Sequence, residues 1–290
     1  MSIPAQPTAT TICTEAYKLF GINTPTSAQI TRATDYGLEM VKSDLKNMGL
    51  EWDFLRTTTW LPMTVGVSYV QLPTDYAKLL SARLLDGSSR STLQTAAAST
   101  ATLASTEGAG SEIVGKWLVI TSGTGINQAK QVKSYDTSTK VATLESSWTT
   151  TPVTSDGYLI VDSHKELDYS PVFDYNTIHT PGASGEPSIA TTKGDAAEGD
   201  LYTDKAADKV YAIELEYYAD INKIDLTATI YSRILRLLNH LFIQGVFVWL
   251  LQDDQRMVIE TQRYERIKQQ ISGLYLYPNN VQNLSLHLDY

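Results

Sequence analysis

The feature that most constrains the fold is a change in hydrophobic period along the chain. In residues 30–48 apolar side chains recur at steps of three and four, which is the spacing of one helical face. From residue 57 the apolar runs become short and are separated by proline and glycine, as is typical of strands and turns. The helical period returns at residue 227. The sequence therefore predicts an α+β protein.

Helical patterns occupy both ends of the chain. Residues 8–20 predict a short helix that ends at Gly21, and a second helix begins near Thr26 or Ser27, so the two should form an antiparallel pair. A long helix is predicted from residue 227 to residue 273. The remaining residues, 274–290, alternate leucine with polar residues and predict an extended tail.

Strand patterns occupy the middle of the chain. Three short strands are predicted before residue 91, four more in a compact β module, and one over residues 210–218. Between the first three strands and the β module, a stretch rich in serine, threonine and alanine predicts a linker or a weakly amphipathic helix. The predicted segments are 1–91 (helical pair and β-hairpin), 92–111 (linker), 112–163 (β module), 164–226 (irregular segment and strand), 227–273 (long helix) and 274–290 (tail).

These segments combine into one predicted architecture. It is a helical bundle with a long C-terminal helix, a β-hairpin or strand segment, and an inserted small β-barrel or sandwich. Residues 234–251 are the most apolar stretch, but they contain Arg236, His240 and Gln244. A lipid-facing helix would bear those groups at considerable cost, so we expect a helix buried in an assembly and no membrane association.

The charge of the chain bears on its partners. The formal net charge is −9, which argues against a nucleic-acid grip by phosphate neutralisation. A negatively charged surface is compatible with DNA sliding past it, because like charges prevent sticking.

The sequence shows few patterns of catalytic chemistry. Its four histidines have no metal-ligand spacing and no pair of carboxylates is singled out, so we expect no enzyme activity, metal or cofactor. Cys13, the single cysteine, predicts a buried inert thiol. The stretch from Gly123 to Gly125 lies between two predicted strands and indicates a hairpin turn. The evenly spaced Asp200, Asp204 and Asp208 alternate with lysines and predict a solvated turn.

A set of short motifs gives the first indication of function. It includes Trp52-Asp-Phe54, Tyr69-Val-Gln-Leu-Pro-Thr-Asp-Tyr76, Asp86-Gly87, Gly185-Glu-Pro187 and the strand from Lys209 to Tyr218. With the helical start and the helix from residue 227, this order resembles the head-to-tail adaptor proteins of short-tailed bacteriophages. The resemblance covers roughly residues 8–90 and 165–272.

A second set of motifs lies in the β module. It comprises Ile120-Thr-Ser-Gly-Thr-Gly125, Gln128, Val132, Tyr135, Trp148, Pro152, Ser155 and Tyr158-Leu-Ile160. This set is similar to a small β module that recurs in phage particle proteins. It departs from the usual pattern at Ile126-Asn127, where a small residue and glycine are more common.

The resemblance implies a structural virion protein. Adaptors form a ring of about twelve copies under the portal protein, as closed cyclic symmetry permits. The ring extends the DNA channel and docks the tail nozzle and sometimes fibres. The implied location is the neck and tail region of a virion, with synthesis in the host cytoplasm.

Two groups of residues are predicted to contact the portal or a neighbouring subunit. The first lies on the C-terminal helix, and the second on the tail, which suits β-strand addition. The predicted contact residues are Arg256, Arg263, Tyr264, Arg266, Leu284, Leu286, Leu288 and Tyr290.

Two other functions stay open at this point. Trp117, Trp148 and Tyr158 could stack on sugar rings in a carbohydrate-binding or cell-wall-hydrolysing tail protein. A tail-tube or hub subunit is the other alternative, although such a protein should be mostly β and the predicted long helix argues against it.

Overall fold

The chain forms two compact units. A computed structural model describes residues 9–19, 21–48, 55–87, 89–108, 112–170, 182–193, 199–221, 241, 244–250 and 257–276. One unit is the continuous segment Phe54–Asp220, here called the β unit. The other, the helical unit, combines Met1–Asp53 with Ile221–Tyr290.

The helical unit begins with the predicted pair of helices, α1 (Ala9–Leu19) and α2 (Ser27–Asn47). The Thr26 side chain accepts a hydrogen bond from the Gln29 N–H while the Gln29 side chain bonds the Thr26 backbone, a reciprocal cap that fixes the start of α2. The Cys13 thiol lies 3.2 Å from the Thr34 hydroxyl, and the Tyr17 hydroxyl donates to the Gln29 carbonyl at 3.1 Å. Residues later in α1 contact residues earlier in α2, so the two helices run antiparallel and the predicted pairing is confirmed. Cys13 is buried, as predicted.

The C-terminal half of this unit is also helical. Residues 244–250 are helical, and α3 is Met257–Leu276. The predicted end of the helix at Gly273 is wrong, because α3 continues to Leu276 and takes up the first residues of the predicted tail. The predicted helical residues 227–240 and the tail from residue 277 lie outside the described residues.

The β unit contains two four-stranded sheets. The first has the order β1-β15-β3-β11 and is antiparallel throughout. The second has the order β12-β13-β14-β2, with only β12 and β13 parallel. The strands are β1 (Arg56–Met63), β2 (Tyr69–Gln71), β3 (Tyr76–Asp86), β11 (Ser163–Glu166), β12 (Asp168–Tyr169), β13 (Ile189–Lys193), β14 (Asp200–Thr203) and β15 (Tyr211–Ala219).

The two sheets share a core. Alternate residues of β15, among them Ile213, Leu215 and Tyr217, are buried on one face of the first sheet. On the second sheet, Leu201 and Ala190 are buried. A side-chain hydrogen bond joins Tyr76 of β3 to Thr192 of β13, so the buried faces pack as a sandwich.

A seven-stranded sheet completes the β unit. Its order is β4-β10-β7-β8-β9-β6-β5. The strands are β4 (Ser89–Thr92), β5 (Thr95–Ala97), β6 (Thr100–Thr102), β7 (Trp117–Ile120), β8 (Ala129–Asp136), β9 (Val141–Leu144) and β10 (Gly157–Ile160). The four strands predicted within residues 117–161 are therefore confirmed.

This sheet closes into a barrel, because its two end strands are consecutive in the chain. Between β4 and β5, the Leu93 N–H donates to the Asp156 carbonyl beside β10, and the Gln94 N–H donates to the Thr102 carbonyl of β6, both at 2.9 Å. One extended segment thus pairs with both sides of the sheet. The enclosed core includes Leu103, Leu118 and Tyr158.

The predicted fold class is wrong. The described residues contain fifteen strands in three sheets, so the protein is mostly β and is not a helical bundle with an inserted β module. Residues 92–111, predicted as a linker or a weakly amphipathic helix, include β5 and β6, and the stretch from Leu167 to Asp200, predicted to be irregular, includes β12, β13 and the first residue of β14. Strands of two to five residues pair with distant partners and carry too few residues to show a period of two. Small residues such as Ala101, which is fully buried, suit a narrow barrel.

Candidate functional site

The inner face of α3 is fixed to α2 by a partly buried polar contact. The Tyr264 hydroxyl donates to the Asp44 carboxylate, and the Lys268 ammonium lies 3.5 Å from the other Asp44 oxygen. Burial and this hydrogen bond raise the pKa of Tyr264, so the phenol stays protonated and remains a donor at neutral pH. The buried Tyr264 hydroxyl and the partly buried Asp44 carboxylate satisfy each other and fix the register of the two helices.

Residues 244–250 pack closely into the same bundle. Gly245 has no side chain, and a Cβ there would lie 2.6 Å from the Met40 methyl and 3.3 Å from a Tyr264 ring carbon. The Gln244 amide donates to the Glu260 carboxylate at 2.6 Å. Glycine at this position thus permits a close approach of helices, and α3 is held from two sides.

The opposite side of α3 is solvent-exposed and carries apolar groups. Val258 is 66% exposed and Ile259 is 57% exposed, and the two are adjacent in the chain. Polar and basic residues continue this side at helical spacing. We call it the outer face of α3: Val258, Ile259, Gln262, Arg263, Arg266 and Gln269. An exposed apolar pair beside arginines is typical of a protein-binding surface.

The predicted contact residues have different positions in the structure. Arg263 and Arg266 lie on the outer face, where Arg263 forms an ion pair with Glu260 at 3.0 Å. The prediction that Tyr264 lies on an exposed surface is wrong, because it is 4% exposed and binds Asp44. Arg256 and the tail residues Leu284, Leu286, Leu288 and Tyr290 lie outside the described residues.

One motif of the resemblance forms the junction between β3 and the barrel. Asp86 forms ion pairs with Arg90 at the start of the barrel and with Lys209, 2.7 Å away, just before β15. At Gly87 a Cβ would lie 1.7 Å from the Ile160 carbonyl oxygen, so only glycine fits. Asp86-Gly87 and Lys209, which are far apart in sequence, therefore belong to one structural feature.

A second pair of motifs meets at the other end of β3. The Tyr217 hydroxyl donates to the Asp75 carboxylate at 2.8 Å, and the rings of Tyr76 and Tyr217 have centroids 5.7 Å apart. The Asp220 N–H also donates to the Asp75 carbonyl, at 2.6 Å. Asp75-Tyr76 and the end of β15 thus hold the central strands of the first sheet in register.

Asp204 has a structural role that sequence reasoning missed. The predicted solvated turn is wrong for this residue, because its carboxylate is buried and accepts hydrogen bonds from the Ser188 N–H, the Ser188 hydroxyl and the Ile189 N–H at 2.8–3.1 Å. Burial raises the pKa of Asp204, but these hydrogen bonds outweigh it, and the net pKa is lowered. The neighbouring lysines concealed this role, and the only available signal was the nearby Gly185-Glu-Pro187 motif.

The glycine-rich motif of the barrel is a hairpin turn, as predicted. It joins β7 to β8, and the buried Asp156 carboxylate accepts the Gly125 N–H at 3.3 Å and the Val153 N–H at 2.9 Å. Gly123 has a φ of +91°, and a Cβ there would overlap Asp156. This turn is filled by the protein's own carboxylate, which leaves no space for a phosphate.

Gln128 of the same motif set joins two loops of the barrel. Its amide nitrogen donates to the Gly125 and Thr150 carbonyls, and its amide oxygen accepts the Thr149 and Thr150 N–H groups, at 2.8–3.1 Å. All four hydrogen-bonding positions of the side chain are therefore used. The motif residues Val132, Trp148, Tyr158 and Ile160 are buried in the barrel core.

The aromatic residues considered for sugar binding are divided by this core. Trp148 and Tyr158 are inside it, and Tyr158 donates to the Glu107 carboxylate, so neither ring presents a stacking face. Trp117 is exposed and stacks on Trp60 with ring centroids 6.0 Å apart. A single exposed tryptophan with one face already covered is a poor platform for a sugar.

A polar cavity of about 290 Å³ opens at one end of the barrel. Its charged lining includes Arg90, Glu107 and Lys116, and each forms a contact within the protein: with Asp86, Tyr158 and Asp162, respectively. These charges are used to hold the barrel together.

The residues that the structure describes contain no group of three or more histidine, cysteine or acidic side chains able to hold a metal ion. In the same residues no helix is both long and apolar enough to cross a membrane. His164 is exposed on β11, and the other three histidines lie outside the described ranges.

No protein-family model matches the chain, and no curated protein shows significant similarity to it. The resemblance to phage adaptors therefore depends on the sequence motifs alone.

Proposed function

We propose that this protein is a non-enzymatic structural subunit of a phage particle, a head-to-tail adaptor that forms a ring under the portal. The observation that carries the proposal is the outer face of α3. Its exposed Val258 and Ile259 lie on a helix that Tyr264, Asp44 and Gln244 hold in place. An apolar surface on a preorganised helix loses little conformational entropy on binding, which favours stable assembly.

The contacts of the resemblance motifs support the same proposal. Asp86-Gly87 meets Lys209, and Asp75-Tyr76 meets Tyr217. Motifs separated by more than a hundred residues thus act together to build one sheet. This is expected of motifs that define a fold, and in sequence these motifs resemble those of the adaptors.

The proposal assigns partners to particular surfaces. The portal or an adjacent subunit binds the outer face of α3 and the tail from residue 277, and the tail nozzle or fibres bind elsewhere on the ring. DNA passes through the channel without specific binding, because a chain with a net charge of −9 repels the phosphate backbone.

The experiment that tests the proposal is mass determination by light scattering, with and without the portal of the same phage. We expect the chain to add to the portal as a closed ring of stoichiometric mass, about twelve copies. Deleting residues 279–290 should abolish docking while leaving circular dichroism unchanged. A chain whose mass is indifferent to the portal would contradict the proposal.

A matched pair of variants tests the outer face itself. Val258→Ser with Ile259→Ser should weaken docking by at least about tenfold, since two anchoring apolar side chains are removed. Val114→Ser with Val153→Ser removes two similarly exposed valines of the barrel and should leave docking unchanged. Equal effects of the two double variants would remove the outer face from the proposal.

A tail-tube or hub subunit is the second candidate, because the fold is mostly β. A tube or hub subunit should be mostly β. The three sheets of the described residues meet this criterion, although the sequence alone predicted a helical bundle. The two functions differ in how assembly ends: a tube subunit stacks into open polymers of many lengths, whereas an adaptor stops at one ring. Electron microscopy of the assembled protein distinguishes a length distribution from a single ring.

A further inference from the structure

The β1–β2 hairpin has arms that separate into different sheets. β1 is an end strand of the first four-stranded sheet, and β2 is an end strand of the second. Residues 64–68 join them, with the Val67 N–H donating to the Thr64 carbonyl at 3.1 Å. Among the described residues, neither arm has a strand partner on its outer side. One side of the sandwich is therefore open between two free strand edges.

A groove of about 630 Å³ lies at this opening. Three buried leucine and valine residues of the sandwich core line it: Leu61, Val70 and Leu72. Tyr69, which is 48% exposed, and Ile126, which is 43% exposed, add apolar surface from β2 and from the barrel turn. Together these five residues, here called the hairpin groove, give access from solvent to an apolar core.

The edges of the hairpin groove favour an extended occupant. In an end strand every second residue turns its N–H and C=O groups away from the sheet, and these groups can pair with an added strand. Residues 56–61 of β1 can pair in this way, whereas Pro62 has no N–H and ends the available edge. A strand of about six residues with alternate apolar side chains would pair with β1 and fill the apolar space.

One segment of this chain has that pattern. Residues 283–290 read Asn-Leu-Ser-Leu-His-Leu-Asp-Tyr, so Leu284, Leu286, Leu288 and Tyr290 share one side of an extended strand. Fourteen residues follow the end of α3, which is more than the strand itself needs.

We infer that the hairpin groove binds the C-terminal segment, residues 283–290, of a neighbouring copy as an added strand on β1. The inference rests on the proposed ring. In a ring each copy has a tail and a groove, so one head-to-tail contact repeated around the axis satisfies all of them. Ile126, at which the barrel motif departs from its usual small residue, becomes an anchor for the leucines of the added strand.

A peptide-binding experiment tests the groove. The full-length chain with Leu284→Ser, Leu286→Ser and Leu288→Ser serves as the receptor, since its own tail has lost the apolar side chains. A fluorescently labelled peptide of residues 279–290 should bind it saturably, as measured by anisotropy, and a peptide with the same three serines should not. Absence of binding by the native peptide overturns the inference.

Two further variants of the receptor locate the binding. Ile126→Asp places a charge in the groove and should raise the Kd of the peptide at least about tenfold. Val114→Asp, at a valine that is 45% exposed and outside the groove lining, should leave the Kd unchanged. If Ile126→Asp has no effect, the peptide binds elsewhere and the inference is wrong.

Cross-linking shows which copy supplies the strand. Thr59→Cys and Leu286→Cys are placed in separate chains, mixed under assembly conditions and oxidised. A disulfide between the two different chains supports binding to a neighbour. When Thr59→Cys and Leu286→Cys are placed together in one chain, a disulfide that forms only within single chains overturns the inference. Light scattering with the portal is an independent measurement, so a ring that forms without peptide binding would remove only the groove assignment and leave the adaptor function standing.

Discussion

At the scale of single residues, buried carboxylates hold parts of the backbone in place by accepting hydrogen bonds. Asp204 accepts three hydrogen bonds at the start of β13, and Asp156 caps the turn at Gly125. A buried carboxylate that satisfies backbone N–H groups adds little net energy but is costly to remove, because its partners lose both the protein acceptor and water. These residues are therefore places where one substitution affects stability.

We predict that Asp204→Asn lowers the free energy of unfolding by about 1–3 kcal/mol at pH 7, the cost of weakening charge-assisted bonds to a buried group. The pKa of Asp204 is lowered in the folded state, so its contribution is fully present above the unfolded-state pKa and is lost as the pH falls through the folded-state pKa. Urea unfolding of both proteins between pH 7 and pH 2.5 measures the difference. A difference that is independent of pH would contradict the assigned role.

The matched control for this substitution is Asp208→Asn. The Asp208 carboxylate accepts one hydrogen bond, from the Tyr211 hydroxyl at 2.8 Å, and no buried backbone N–H depends on it in the described contacts. We expect a cost of about 1 kcal/mol or less, as is usual for a single side-chain hydrogen bond.

At the scale of elements, the barrel shows how a motif can be conspicuous in sequence and still have no chemistry. Gly123 and Gly125 form a turn, Gln128 ties that turn to the loop at Thr149 and Thr150, and Trp148 fills the core. Each feature stabilises the closure of a small barrel.

We predict that Gln128→Ala loosens the loop at residues 149–150 with a smaller effect on the barrel as a whole. Two backbone N–H groups lose their acceptor, so their hydrogen exchange should accelerate by about fivefold, since each lost bond is worth about 1 kcal/mol. Amide exchange followed by NMR measures this at Thr149 and Thr150. Gln131→Ala is the control, because the Gln131 amide donates to the Gly115 carbonyl at the opposite side of β8. Accelerated exchange at residues 149–150 in both variants would contradict the local role of Gln128.

The same scale explains which elements were predictable. α2 has a reciprocal cap at Thr26 and Gln29 and a long apolar face, so its start and type follow from local sequence. β5 and β6, by contrast, have three residues each and are strands because β6 pairs with β9, forty residues away. Such pairing leaves no local period, and the Ser/Thr/Ala-rich composition pointed to a linker.

At the scale of the whole molecule, the two units differ in how the chain builds them. The β unit is one continuous segment with the sandwich and the barrel, whereas the helical unit needs both ends of the chain. A continuous segment with its own core can fold independently. A unit split between two ends must first close a loop of more than a hundred residues, at an entropic cost.

We predict that residues 54–220 expressed alone fold cooperatively, with a β-type far-ultraviolet circular dichroism spectrum and a sharp thermal transition. Their internal core and complete sheets require no residue from the helical unit. A fragment with dispersed NMR amide signals would agree with this, and a fragment that is disordered would contradict the division into units. The fragment also lacks the outer face of α3, so under the proposed function it should not bind the portal.

The sequence by itself determined the features that depend on near neighbours. These are the capped α1–α2 pair, the four strands from 117 to 160, the hairpin at Gly123, and the arginines that lie on the outer face of α3. Three features were decided only by the tertiary structure. Tyr264 is buried against Asp44, Asp204 accepts hydrogen bonds from the backbone at the start of β13, and residues of the predicted linker form strands that close the barrel. The physical reason is sequence separation: helix caps and hairpin turns are fixed by residues a few positions apart, whereas burial and strand pairing depend on partners 15 to 220 positions away.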